Sequence, residues 1–165
     1  MIQKKVCMVG TFAVGKTSLV RQFVESVYSE KYHTTVGVKV DKKIVKVGEQ
    51  EVTLVLWDIE GAETGLELRQ SYLRGAAGYL LVADGTRPDT ITNAEALQAR
   101  AKATIGSVPF LLLLNKVDLG QHWRVDPEEL ARLRALSWPV ITTSAKTGQG
   151  VENAFATLAQ RMMED

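Results

Sequence analysis

The stretch Gly10-Thr11-Phe12-Ala13-Val14-Gly15-Lys16-Thr17 limits what this chain can become more than any other. It reads G-x-x-x-x-G-K-T. An apolar run, Lys5–Val9, precedes it and predicts a short buried strand, and Thr17–Ser26 predicts a helix behind it. Glycines at these positions let the backbone wrap closely round an anion with its N–H groups turned inward. The helix that follows adds the positive end of its dipole. In such a loop Lys16 reaches the β- and γ-phosphates, and the Thr17 hydroxyl helps to hold Mg²⁺. A glycine-rich turn with a surface lysine is the plain alternative, but it leaves the strand–loop–helix placement unexplained.

The 165 residues are one domain's worth of chain, and no repeat, linker or low-complexity tract divides residues 1–165. With 45% hydrophobic and 24% charged residues, the composition is that of a folded protein. A net charge of +1 without a dense Lys/Arg cluster argues against nucleic acid polymers as partners. The single cysteine, Cys7, sits in the first apolar strand and reads as a packed thiol. Val108–Leu114 is the longest apolar run and is too short to span a bilayer. Residue 2 is isoleucine, and the chain ends Met162-Met163-Glu164-Asp165, so neither end offers a lipidation signal. The expectation is a soluble, cytoplasmic monomer with no membrane anchor in this chain.

Strands and helices alternate along the sequence. Leu19, Val20, Phe23, Val24 and Val27 give the first helix an apolar face. Val36, Val38 and Val40 alternate with Gly37, Lys39 and Asp41 as in a half-exposed strand. Gly48-Glu49-Gln50 turns the chain into a strand over Val52–Trp57, completing an antiparallel hairpin at a sheet edge. Lys39, Lys42, Lys43 and Lys46 read as one solvated edge that discourages strand pairing. Tyr79–Ala83, Pro109–Leu114 and Pro139–Thr142 predict three further strands. Thr92 with Glu95 predicts a capped helix running to Ile105. Asp126-Pro127-Glu128-Glu129 predicts another, with Leu130, Leu133 and Leu136 facing inward. Val151, Ala154, Phe155, Leu158, Ala159 and Met162 form the apolar stripe of a last helix. This order implies a mostly parallel sheet covered on both faces, with ligands beyond the strands' carboxyl ends.

The polar motifs fall at those ends. Asp58-Ile59-Glu60-Gly61 closes the third strand. Asp58 is placed to bind Mg²⁺ through water, and Gly61 to donate its N–H to a γ-phosphate. An ordinary strand-ending turn is the alternative. Asn115-Lys116-Val117-Asp118 follows the fifth strand. The Asp118 carboxylate can accept from the N1–H and exocyclic amine of guanine, a donor pair adenine lacks. The Lys116 stem can lie across the base, and Asn115 can tie this loop to the phosphate loop. Ser144-Ala145-Lys146 follows the sixth strand, where the Ala145 N–H can reach the guanine O6.

With these motifs in order, the chain resembles the Ras superfamily of small GTPases, in its Rab-like branch. The resemblance covers essentially all 165 residues and also takes in Thr35 with Val36-Gly37-Val38 and Trp57-Asp58-x-x-Gly61. It implies an α/β, three-layer P-loop NTPase fold, a G domain. That fold has a six-stranded, mostly parallel sheet with one antiparallel edge strand, and about five helices. It implies GTP and GDP as ligands and Mg²⁺ as cofactor. Thr11, Phe12, Ala13, Val14, Gly15, Lys16, Thr17 and Ser18 then line the phosphates, Lys16 and Gly61 stabilise the γ-phosphate, and Thr17, Thr35 and Asp58 (through water) serve the metal. Asn115, Lys116, Asp118, Ser144, Ala145 and Lys146 serve the base. Tyr28 matches a position whose ring lies on the guanine, although partial burial under its loop reads nearly as well. Thr35 and Gly61 would be held only by the γ-phosphate, so that effectors, exchange factors and activating proteins read two switch segments. Val36, Val38 and Trp57 either line that surface or are strand residues shielded by neighbours.

Two residues depart from the family pattern. Ala62 stands where a glutamine usually orients the attacking water, so no catalytic side chain is assigned. Unaided hydrolysis should be at or below the order of 10⁻⁴ s⁻¹. Glu60 and Glu63 flank the gap, but a carboxylate is repelled by a γ-phosphate, and they read as solvated charges. Phe12 is large where relatives are small. It either blocks entry of an activating arginine and covers the phosphates, or points away and packs on the second switch. Arg69 and Arg74 read as solvated helix charges, and His33 and His122 lack the partners a metal site needs. A switch with slow hydrolysis is the leading function; a GTP-bound interaction module with little or no hydrolysis is the alternative.

Overall fold

A computed structural model describes residues 1–29, 37–59 and 70–164. The expectations for His33, Thr35, Val36, Glu60, Gly61, Ala62, Glu63 and Arg69 fall outside the described residues.

Six strands form one sheet in the order β2-β3-β1-β4-β5-β6. They are β1 (Ile2–Val9), β2 (Val38–Val47), β3 (Gln50–Ile59), β4 (Gly78–Asp84), β5 (Phe110–Asn115) and β6 (Val140–Thr142). Among the described residues only the β2–β3 pair is antiparallel. Among the described residues the α-helices are α1 (Lys16–Glu25), α2 (Gln70–Leu73), α3 (Pro88–Ile105), α4 (Pro127–Ala135) and α5 (Val151–Met163). No helix among them is long and apolar enough to cross a membrane.

Central strands are apolar on both faces, because each face meets a helical layer. Val6 and Met8 of β1, Leu80 and Val82 of β4, and Leu111 and Leu113 of β5 pack with α1 and α5. Their alternates Cys7, Val9, Tyr79, Leu81, Leu112 and Leu114 pack with α3 and α4. Every residue of the stripe expected on the last helix is buried. Burial pushes the Cys7 thiol up to about 12, and it donates to the Tyr72 carbonyl, so it is a core group rather than a nucleophile.

The structure corrects four local expectations. Helix α3 begins at Pro88, not Thr92, which lies exposed in its second turn. Proline at the first helical position presets φ, and the Thr90 hydroxyl fastens this start to β4 by accepting from the Asp84 N–H and donating to the Arg87 carbonyl. Asp126 caps α4 as expected, accepting from the Glu129 N–H at 2.8 Å, and Leu133 is buried. Leu136, however, is the C-cap and is 49% exposed, because the helix stops before it can turn inward. Along β2 the half-buried positions on the α1/α5 side are Asp41, Lys43, Val45 and Val47, while Val40 and Ile44 face outward on the other side. Lys43 therefore leaves the expected solvated edge: it donates to the Phe23 carbonyl and lies over the Phe23 ring at 4.2 Å from its centroid.

Strand order reverses around β1, whose neighbours β3 and β4 lead to opposite sides of the sheet. Beyond the carboxyl ends of β1 and β4 lies the crevice where such sheets bind ligands. The Gly10–Gly15 loop opens into it.

Candidate functional site

The loop after β1 is fixed from outside by side chains of other loops. Gly10 is required at its entry, since a Cβ there would come within 2.5 Å of the Val82 carbonyl oxygen. Ala13 (φ 62°) and Gly15 (φ 105°) adopt the left-handed region at alternate positions. That alternation curves successive N–H groups into a concave anion nest. A Cβ on Gly15 would come within 2.3 Å of Asn115 Nδ2, so the cradle leaves no room for a side chain. Thr11, Val14 and Lys16 are buried, Gly15, Ala13, Thr17 and Ser18 are half-buried, and Phe12 is 39% exposed. The Lys16 ammonium donates to the Gly10 and Thr11 carbonyls at 3.0 and 3.2 Å. Burial pushes it down to about 8, with Asp58 pulling in the other direction. It is a desolvated cation held across the mouth of the nest.

Thr17, in the first turn of α1, donates its hydroxyl proton to Asp58 Oδ2 at 2.5 Å. Asp58 lies near the end of β3, 1% exposed. A hydroxyl and a carboxylate oxygen in contact are the hard donors Mg²⁺ prefers, so these residues fit the cation.

The second loop, after β5, folds back onto the first. Asn115 donates to the Val14 carbonyl at 3.0 Å and accepts from the Thr143 hydroxyl at 3.0 Å. Lys116 takes up φ 71° and donates to the Ala13 carbonyl at 3.0 Å. Asp118 is exposed and accepts from the Ser144 hydroxyl at 2.7 Å, which joins it to the third loop. Ser144 is buried and also accepts from the Thr147 N–H; Ala145 is buried and Lys146 exposed. Tyr28, after α1, is 40% exposed. The loops that sequence alone placed at strand ends thus meet in one cluster, apart from Thr35 and Gly61, which lie outside the described residues.

Four residues of this cluster were not singled out from sequence. Asp84 ends β4, 1% exposed, and pairs with Lys116 at 2.9 Å and Arg87 at 3.0 Å. Burial raises its carboxyl, but hydrogen bonds from Lys116 and Thr86 prevail and hold it below the ordinary value of 3.8. Arg87 stands at the N-cap position of α3, and its side chain also donates to the Phe12 carbonyl at 3.0 Å. Gln22 of α1 donates to the Ala145 carbonyl at 2.7 Å and so fixes the third loop. Trp123 packs against Gly85, where a Cβ would meet its ring at 2.0 Å. A polar residue ending a parallel strand was the available signal for Asp84; Gln22 and Trp123 gave none.

Among the described residues no His/Cys/Asp/Glu cluster holds a metal, and His122 is exposed. A separate cleft of about 860 Å³ opens at the amino ends of β4 and β5, beside Tyr79, Phe110, Lys102 and Arg161. It is at the opposite end of the sheet from the phosphate loop.

A buried lysine in an anion nest, a hydroxyl–carboxylate pair and a base-side carboxylate define a P-loop nucleotide-binding protein. The Ras family model matches residues 5–164. Ras-related protein Rab7 of Drosophila melanogaster is 35% identical over 173 residues, covering 97% of this chain and 80% of that protein. Ras-related protein Rab-1 of Theileria parva is 34% identical over 164 residues, covering 97% and 74%. The chain belongs to the Ras family, and it is a GTP-binding molecular switch and GTPase.

Proposed function

We propose that residues 1–165 act as one G domain that binds GTP and GDP with Mg²⁺ in the cluster formed by the loops after β1, β3, β5 and β6. The observation that carries this reading is the bond from Asn115 to the Val14 carbonyl, which sets a guanine-reading loop directly against a phosphate nest. The N–H groups from Ala13 through Ser18 receive the phosphates, and Lys16 neutralises their charge. Asp118 accepts from guanine, held at the correct angle by Ser144, and Ala145 meets the base edge with its carbonyl anchored by Gln22. Thr17 and Asp58 hold Mg²⁺, Asp58 through water, and Thr35 completes the set when the γ-phosphate is present. The cation supplies charge neutralisation for the transferred phosphoryl group. Tyr28 lies over the base.

Thr35 and Gly61 report the γ-phosphate to partners, so effectors, exchange factors and activating proteins dock on the two switch segments. The family assignment favours this switch over a module that keeps GTP as a structural ligand. With alanine at position 62, water is positioned poorly, and turnover is slow without a partner. The protein works as a cytoplasmic monomer and makes no use of nucleic acid. Nucleotide released from purified protein by denaturation tests the reading. Chromatography should find GDP or GTP; adenine nucleotide, or none after purification in Mg²⁺, would refute it.

A further inference from the structure

The phosphate loop is held by three successive outward-facing carbonyls, each with its own side-chain donor. Arg87 Nη2 donates to Phe12, Lys116 Nζ to Ala13 and Asn115 Nδ2 to Val14, each at 3.0 Å. In a trans peptide plane the carbonyl of one residue and the N–H of the next point in opposite directions. Fixing these three carbonyls outward therefore turns the N–H groups of Ala13, Val14 and Gly15 inward, toward the anion.

Two of the three donors share one anchor. Asp84 Oδ2 lies 3.0 Å from Arg87 Nε and 2.9 Å from Lys116 Nζ. Its other oxygen accepts from the Thr86 N–H at 2.8 Å and the Thr86 hydroxyl at 2.6 Å, so the carboxylate cannot rotate without breaking both. Arg87 is rooted in turn, because it stands at the N-cap position of α3 and its carbonyl accepts from the Thr90 hydroxyl at 2.7 Å. Its guanidinium bridges Asp84 and Phe12 as a planar fork, which one ammonium or amide donor cannot reproduce.

We propose that Asp84 and Arg87 are positioning residues for nucleotide retention: together they hold the Phe12 peptide plane so that the Ala13 N–H stays aimed at the phosphates. The inference rests on the guanine-nucleotide reading and adds to it a separable phosphate-side control. Through Lys116, Asp84 acts on the base side as well; Arg87 acts on the phosphate side alone.

The test is the release of fluorescent GDP and the binding of GDP and GMP, in Mg²⁺, by wild type and Arg87→Gln. Arg87 is half-exposed, so the variant keeps the fold. Losing a charge-assisted bond should speed GDP release about tenfold and lower the GDP-to-GMP affinity ratio by a similar factor. GMP affinity, and the preference for guanine over hypoxanthine, should be nearly unchanged. Arg87→Lys should restore only part of the loss. Asp84→Asn should weaken GDP and GMP together, and the double variant with Arg87→Gln should be no worse than Asp84→Asn alone. Unchanged GDP release in Arg87→Gln, or equal losses for GDP and GMP, would overturn the inference while wild-type GDP binding stands. Additive effects in the double variant would also overturn it. Wild type that binds neither nucleotide would instead defeat the guanine reading on which the inference depends.

Discussion

Asn115 and Val14, 101 residues apart in sequence, are joined by a 3.0 Å bond from the amide of one to the carbonyl of the other. The same amide stands where a Cβ on Gly15 would project. One contact thus fixes the distance between the loop proposed to read the base and the loop proposed to hold the phosphates.

Replacing Gly15 with alanine should abolish nucleotide binding while leaving secondary structure intact. The new methyl meets Asn115 at 2.3 Å, and φ 105° disfavours any side chain. Circular dichroism with a nucleotide titration checks both halves. Asn115→Ala should cost about 1–3 kcal/mol of stability, because the Val14 carbonyl and Thr143 hydroxyl lose their partner in a buried site.

Gly85→Ala should destabilise the protein by about 1–3 kcal/mol in urea unfolding, since Trp123 must move off the backbone it covers. Removing the ring should relieve the clash. In the Trp123→Ala background the same substitution is expected to cost much less.

Asp84 sets an acid limit. Its carboxyl in the folded protein lies below the ordinary value of 3.8, so its contribution is complete above that value and lost as pH falls through the lower, folded one. Asp84→Asn should therefore be less stable than wild type at pH 7, by about 2 kcal/mol. This is less than breaking a fully buried pair, because Arg87 and Lys116 stay partly exposed. Urea unfolding from pH 7 to pH 3 should show the gap narrowing at the acid end. A gap that stays constant would mean the carboxylate charge is not what matters.

Ala62→Gln should speed single-turnover GTP hydrolysis about tenfold, from a wild-type rate at or below the order of 10⁻⁴ s⁻¹. A fast wild type would show that another residue positions the water.

Much of this site could be read from sequence because its residues follow strands in fixed order, and parallel strands deliver their ends to one edge. The convergence of Gly15, Lys16, Thr17, Asn115 and Asp118 was legible for that reason. Arg87 was not: its meaning depends on the Phe12 carbonyl, 75 residues away, and backbone acceptors leave no mark in sequence. Helix α3 was misplaced for a related reason. The Thr92–Glu95 pattern imitates a cap, whereas Pro88 and the fastening of the Thr90 hydroxyl to the Asp84 backbone, six residues back, set the real start. Lys43 looked like its neighbours until β2 paired with β3 and turned it toward Phe23.

The proposed function requires the loop after β5 to select guanine for a phosphate nest built after β1. Equilibrium titration of nucleotide-free protein with GDP and with ADP, both in Mg²⁺, tests it most directly. GDP should bind at least about a hundredfold more tightly, because adenine leaves the Asp118 carboxylate without its two donors. Equal affinity for the two nucleotides would mean that this loop does not select the base.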